Sequence, residues 1–283
     1  VETPCEPAPY CLYGLRLCRF VPVLSVRCQT ATFPPGWIWL KYNNSYFNSN
    51  ADMSLPNTLA IQDIIRFCAL ALPALDGDTR PSETEADSRE AEIMASAFGR
   101  LSVAHPEAGA VYWACRTWLL WMWQPVYLGV WAASVKGASP DFSGFAHTFD
   151  GLFTARFGIA VQDCTVRLRQ EAVSRTATDL KAYLYASLPL IRPHYPLGAK
   201  LAEYFLGDAV LKALSAAHAL RLLSRGETEM LARQWQDALA VRCNGALVWD
   251  GETQGFQAQL ATCCQHYRRE DGEFCSGCPK TRP

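Results

Sequence analysis

From Trp113 to Ala133 the chain reads WACRTWLLWMWQPVYLGVWAA, with Arg116 its one charged residue. As a helix, a run of this length reaches across the hydrocarbon core of a bilayer. The aromatic residues argue the other way. Trp121 and Trp123 stand in the middle of the run rather than in belts at its ends, and Gln124-Pro125 interrupts it. A helix that is apolar on every side is otherwise one that a large fold encloses. The expectation is therefore a buried helix, kinked at Pro125, around which the rest of the chain packs. A membrane-facing or membrane-spanning placement of the same helix is the competing expectation. Enclosing it takes apolar surface, and a chain of 283 residues with 50% hydrophobic composition supplies that.

A formal net charge of −1 leaves no basic stripe of the kind that binds polyanions, so nucleic acid is not an expected partner. The chain has twelve cysteines. Small disulfide scaffolds carry roughly 8–10% cysteine, well above the share here. Eight of the twelve also follow no framework spacing, so a reducing, cytoplasmic setting is expected. No charged stretch followed by an apolar run and a cleavage site opens the sequence, and Asn43-Asn44-Ser45 points only weakly to secretion.

The order of patterns gives an α+β class dominated by helices, in three parts. Residues 1–80 read as a small mixed region: GWIWLKY (Gly36 to Tyr42) has strand character, and IQDIIRFCALAL reads as a helix stopped by Pro73. A boundary is expected near Pro81, where the charged stretch also offers a capping box, Ser82 with Glu85. Residues 81–255 form a mainly helical domain. Val173, Ala177, Leu180 and Leu184 recur at helical spacing, as do Leu206, Val210, Leu214 and Ala217, and a further helix is expected from Gly226. FGIAVQD and GALVWDG are short strand candidates. Residues 256–283 are the cysteine-rich tail.

That tail contains CCQHYRREDGEFCSGC, with Cys263, Cys264, Cys275 and Cys278. Four thiolates are the complete ligand set of an iron-sulfur centre. Gly272, Gly277 and Pro279 let a short segment turn tightly enough to bring such side chains together. Two other chemistries fit the same residues. A tetrahedral zinc staple would use Cys275, Cys278, one of the adjacent pair and His266. A redox dithiol would use Cys275 and Cys278, without the βαβ context that such a motif usually has. Cys5, Cys11, Cys18 and Cys28 follow no ligand template, and Cys68, Cys115, Cys164 and Cys243 read as buried thiols. His218, between alanines, reads as a core histidine; His105, His147 and His194 have no partner at a telling spacing.

The spacing C-C-x10-C-x2-C resembles the 2Fe-2S motif of ferric-siderophore reductases of the FhuF type. The flanking YRREDGEFCSGCP and the aromatic YWACRTWLLWMWQPVYL are also similar, with diffuse similarity over residues 90–283. Many members have an arginine just ahead of the pair, where Leu260, Ala261 and Thr262 stand here, so a role for that arginine does not carry over. The resemblance implies a palm-and-thumb type of fold and a 2Fe-2S cluster on Cys263, Cys264, Cys275 and Cys278. It also implies one-electron reduction of siderophore-bound Fe(III), releasing iron inside the cell, in the cytoplasm or at the inner face of the membrane.

No glycine-rich nucleotide fingerprint occurs, so electrons are expected from an external ferredoxin, flavodoxin or flavin reductase. The reaction needs no acid, base or nucleophile. For the ferric siderophore the candidate contacts are an aromatic wall of Trp113, Trp118 and Trp121 with Arg116, and Tyr267, Arg268 and Arg269 beside the cysteines. The competing function is a non-enzymatic binding or membrane-surface protein whose tail is stapled by zinc.

Overall fold

In the computed structural model the described residues are 58–80, 86–241 and 245–281, all within one compact unit. The GWIWLKY strand, the Ser82 capping box, the Pro81 boundary, Cys243 and the four cysteines before residue 30 lie outside them. In order come β1 (Thr58–Ala60), α1 (Ile61–Ala71), β2 (Gly77–Arg80), α2 (Ala86–Ala104) and α3 (Gly109–Trp131). They are followed by β3 (Ala146–Asp150), β4 (Phe153–Ala160), β5 (Asp163–Thr165), α4 (Arg169–Ile191), α5 (Ala199–Ala219), α6 (Arg225–Leu239), β6 (Ala246–Asp250) and β7 (Gly255–Gln259). The class is α+β with helices dominant, as the patterns imply.

Three small sheets flank the helices. β1 pairs antiparallel with β5; β4 lies between β2, to which it is parallel, and β3, to which it is antiparallel; β6 and β7 form a hairpin. The two apolar repeats occupy α4 and α5, and all eight of their residues are buried. The last helix starts one residue before Gly226. Ser224 caps it, accepting from the Glu227 N–H while Glu227 reaches back to the Ser224 N–H. The sequence SRGE carries that capping box in plain view.

α3 is the buried helix that its composition demands, and it touches α2, α4 and α5. It continues past Pro125 to Trp131 and ends in a wider π-type turn, Ala132–Lys136, closed by Gly137 in the left-handed region (φ 66°). Three of its tryptophans bury their rings and send the indole N–H to three different elements. Trp121 donates to Ser187 Oγ on α4 (3.1 Å), Trp123 to Thr154 on β4 and Trp131 to the Ala213 carbonyl on α5 (2.9 Å). Gln124 likewise donates to the carbonyls of Ala74 and Ala155. Cutting any of these rings back to alanine removes roughly 3–5 kcal/mol. No helix among the described residues is long and apolar enough to cross a membrane.

His147 on β3 is buried in the same region. Its Nε2 lies 2.7 Å from the Tyr183 hydroxyl, and its ring packs on Trp121 with centroids 4.1 Å apart. Burial pushes its pKa down to about 3. In the unfolded chain the imidazole takes a proton near pH 6.5, roughly the ordinary histidine value. The native state therefore binds fewer protons between these limits. His147 contributes its full share of stability above about pH 6.5 and loses it as pH falls toward about 3, by at most roughly 1.4 kcal/mol per pH unit. Chemical denaturation of the native chain and of His147→Gln at pH 7 and pH 4.5 checks this. The variant is expected to lose less stability on acidification; equal losses would contradict the assignment.

Candidate metal centre

The tail is anchored before it reaches its thiols. The β6–β7 hairpin lies on α5, where Ser215 Oγ donates to the Phe256 carbonyl (2.7 Å) and His218 packs edge-on against Trp249 and Phe256. His218 Nδ1 is 3.2 Å from the Leu223 carbonyl oxygen, a contact within the fold rather than with a ligand. Leu260 then enters the core, and the backbone bends at Ala261 and Thr262. The Asp208 carboxylate of α5, 2% exposed, holds that bend: Oδ1 accepts from the Ala261 N–H and Oδ2 from the Thr262 N–H, both at 2.8 Å, and the Thr262 hydroxyl donates to Oδ2 as well. Burial raises the Asp208 pKa, against the pull of Thr262, Ala261 and Lys212.

Beyond the bend come Cys263 and Cys264. In an extended chain their side chains would point to opposite faces. Gln265 instead turns left-handed (φ 62°, ψ 16°) and a 3-10 turn follows, His266–Arg268. The backbone N–H groups of Gln265 and His266 thereby face the Cys263 and Cys264 sulfurs. The returning segment of the tail presses on β7. Leu260 N–H donates to the Gly277 carbonyl (3.0 Å), and a Cβ at Gly277 (φ 74°) would lie 2.0 Å from the Ala258 oxygen, so only glycine fits. Gly272 is equally tight, its Cβ position 2.1 Å from the His266 oxygen.

These turns bring the four thiols together. Cys263 Sγ is 3.9 Å from Cys278 Sγ, and Cys264 Sγ is 3.8 Å from Cys275 Sγ. Cys278 is buried and the other three are half-buried. Among the described residues no three His, Cys, Asp or Glu side chains converge on one ion-sized point; the thiols stand in twos. The Cys264 thiol is pulled down to about 6, first by the hydrogen bond with Cys275 and then by the His266 N–H, Lys212 and Arg116, against its burial. Cys275 moves up correspondingly, through its hydrogen bond with Cys264 and then through burial. Cys263 is pushed up to about 11, chiefly by burial. Four thiols with backbone N–H groups aimed at two of them, and Lys212 and Arg116 nearby, suit an anionic sulfur-ligated cluster.

The surrounding wall comes from α3 and from the turn before it. Tyr112 faces His266 with ring centroids 6.3 Å apart, and Glu107 accepts from the Glu270 N–H (3.3 Å). Cys115 is buried next to Cys263 and Cys264. Burial and those two thiols push it up to about 12, so it stays a neutral thiol.

Of the proposed substrate contacts, Arg116 lies on this side of α3, close enough to act on Cys264 and 6.0 Å from the Phe153 ring centroid. Trp113 is half-buried, donating to the His105 carbonyl (2.8 Å). Trp118 and Trp121 are 0% and 1% exposed and belong to the core, so they offer no face to a molecule from solvent. Of the proposed wall, Trp118 and Trp121 lie on the flank of α3 that the core covers, so they do not join Trp113 and Arg116 in one face. Tyr267 stacks on Phe274 at 4.9 Å and accepts from Lys280 Nζ (2.9 Å). Arg268 donates to the Gln265 side chain (3.1 Å), and Arg269 pairs with Asp271. Asp208 was missed at the sequence level. Its signal is a carboxylate inside the apolar stretch FLGDAVL, where burial without partners would be costly.

Replacing Asp208 by Asn leaves one acceptor for three donors. It is expected to cost roughly 1–3 kcal/mol, the desolvation penalty of buried groups left unpaired. Urea denaturation measures the loss. Reaction of the four tail thiols with a disulfide reagent is expected to speed up about tenfold, the factor that 1.4 kcal/mol of local opening produces. Thiols as slow as in the native chain would show that Asp208 does not hold the bend.

Residues 261–280 match the family model of the FhuF 2Fe-2S C-terminal domain. The match begins at the residue whose N–H Asp208 Oδ1 accepts and contains all four cysteines. The cofactor of such a domain is a 2Fe-2S cluster. The tail that α3 and α5 hold in place thus matches the FhuF-type 2Fe-2S C-terminal domain, with Cys263, Cys264, Cys275 and Cys278 lying near one another.

Proposed function

We propose that this protein is a ferric-siderophore reductase, with Cys263, Cys264, Cys275 and Cys278 as the cluster ligands and an external one-electron donor such as a ferredoxin, flavodoxin or flavin reductase. The observation that carries the reading is the FhuF-type tail, with its four thiols gathered against α3 and α5. When bound, the 2Fe-2S group takes up and gives back one electron, the number that converts Fe(III) to Fe(II). Siderophores bind through hard oxygen donors that favour the ferric ion, so the product Fe(II) is held more weakly and leaves.

The work of the chain's own residues is placement and charge. Three of the four cysteines are half-buried, which keeps the centre near the surface where donor and substrate arrive. Lys212 and Arg116 act on the Cys264 and Cys275 side, and Lys280 lies within electrostatic reach of Cys263. Reduction adds a negative charge, so these cations favour the reduced state. The backbone N–H groups of Gln265 and His266 act in the same direction. Arg116, with Trp113 and Tyr267 at the edges, is the proposed contact for an anionic ferric complex; Arg268 and Arg269 serve the donor or the substrate. The cytoplasm is the proposed setting.

Protein purified without oxygen is expected to show a visible spectrum that dithionite bleaches and a ferric trihydroxamate restores as Fe(II) forms. Cys264→Ser is expected to lose the spectrum and the reduction together. Reduction that survives without the cluster, or a colourless native protein carrying zinc, would end the proposal.

A further inference from the structure

Four cysteines divide between two irons in three ways. The pair next to each other in sequence can share an iron, with Cys275 and Cys278 on the other; Cys263 can go with Cys275; or Cys263 can go with Cys278. Two thiolates on one tetrahedral metal, each at roughly 2.3 Å, stand roughly 3.8 Å apart. The two sulfur contacts in the tail have this length, Cys263 to Cys278 at 3.9 Å and Cys264 to Cys275 at 3.8 Å. Each joins one member of the adjacent pair to one member of the Cys-x-x-Cys.

Resting on the cluster reading above, we propose that the ligation is interleaved: Cys263 with Cys278 on one iron, Cys264 with Cys275 on the other.

The backbone explains why the sequence-local pairing is passed over. Asp208 bends the chain at Ala261 and Thr262, and Gln265 turns it again in the left-handed region. The dipeptide between these bends sends its two side chains to different partners on the returning segment. That segment is held beside the end of β7 by the Leu260 to Gly277 hydrogen bond, which brings Cys278, the residue after Gly277, up to Cys263. Cys275 starts the turn that closes with the Cys278 N–H on its carbonyl (3.1 Å), which leaves its thiol for Cys264. The surroundings of the two pairs also differ. Lys212 acts on both Cys264 and Cys275, whereas Lys280 lies on the Cys263 side. The two irons are therefore inequivalent, and the added electron localises on one of them.

This inequivalence makes the pairing measurable in the native, four-cysteine holoprotein. In the one-electron-reduced state, cysteines on the ferric site have paramagnetic NMR shifts that shrink on warming, and those on the ferrous site behave oppositely. The cysteines follow four different residues, Thr262, Cys263, Phe274 and Gly277. Carbonyl-13C labelling of one residue type at a time with 15N-cysteine therefore identifies each by carbon- and nitrogen-detected spectra, Cys275 being told from Cys68, which also follows a phenylalanine, by its paramagnetic shift. Cys263 and Cys278 are expected to share one temperature dependence, and Cys264 and Cys275 the other. A two-iron cluster in which Cys263 groups with Cys264 or with Cys275 would overturn the pairing and leave the reductase reading standing. A native protein that holds no two-iron cluster would overturn both.

Discussion

Cluster chemistry asks for sulfur atoms placed to a fraction of an ångström, yet the described residues that supply them, 260–281, form no strand or α-helix of their own. What places them is the Asp208 carboxylate. It sits on the buried face of a long helix, so its position is as rigid as the core. It takes up the backbone donors of Ala261 and Thr262, the last two residues before the cysteine pair. A charged acceptor sheltered from water makes stronger hydrogen bonds than a neutral or exposed one, and leaving it unpaired would be costly. Both facts push the chain into the same bend. The remaining turns, at Gln265 and Gly277, add to a direction that α5 has already set.

α5 is rigid because of what α3 does beside it. α3 is apolar on every side, so it has to be enclosed, and its indole N–H groups tie it to α4, to β4 and to α5. Its first turns serve a different purpose. Tyr112, Cys115 and Arg116 meet the tail rather than the core centre, and Arg116 adds charge where the thiols gather. One helix thus joins the packing of the body to the electrostatics of the site. The cost of its composition, a segment with no polar face, is met by burial of nearly its whole length.

Charge and exposure in the tail follow one logic. The net charge of the chain is close to zero, but locally Lys212, Arg116 and Lys280 surround thiols whose complex with iron gains negative charge on reduction. Of the segment's acidic residues, Asp271 is paired with Arg269, while Glu107, from the turn before α3, takes the Glu270 N–H. In the proposed reductase electrons must both enter and leave, which favours a site near the surface. Half-burial of three cysteines fits that need, and Cys278 behind them anchors the loop.

Much of this was legible in the residues themselves. The helical repeats of α4 and α5, the stop at Pro73, the strands at FGIAVQD and GALVWDG and the burial of the Trp113–Ala133 helix follow from periodicity and composition, because solvent alone decides which face turns inward. The four cysteines follow from their spacing, because short chain segments bring near neighbours together at little entropic cost. Other features depended on contacts that no local pattern records. Trp118 and Trp121 went to the core and Arg116 toward the thiols, because neighbouring helices cover one flank of α3 and leave the other to the tail. Pro125 did not end α3, because tertiary packing on all sides outweighs the loss of one backbone donor. The partner of each cysteine across the tail, and the carboxylate that sets the bend, were decided by tertiary structure alone. They join residues more than fifty positions apart in one case and the two ends of a looped segment in the other, and only the packing of α5 against the hairpin brings them within reach.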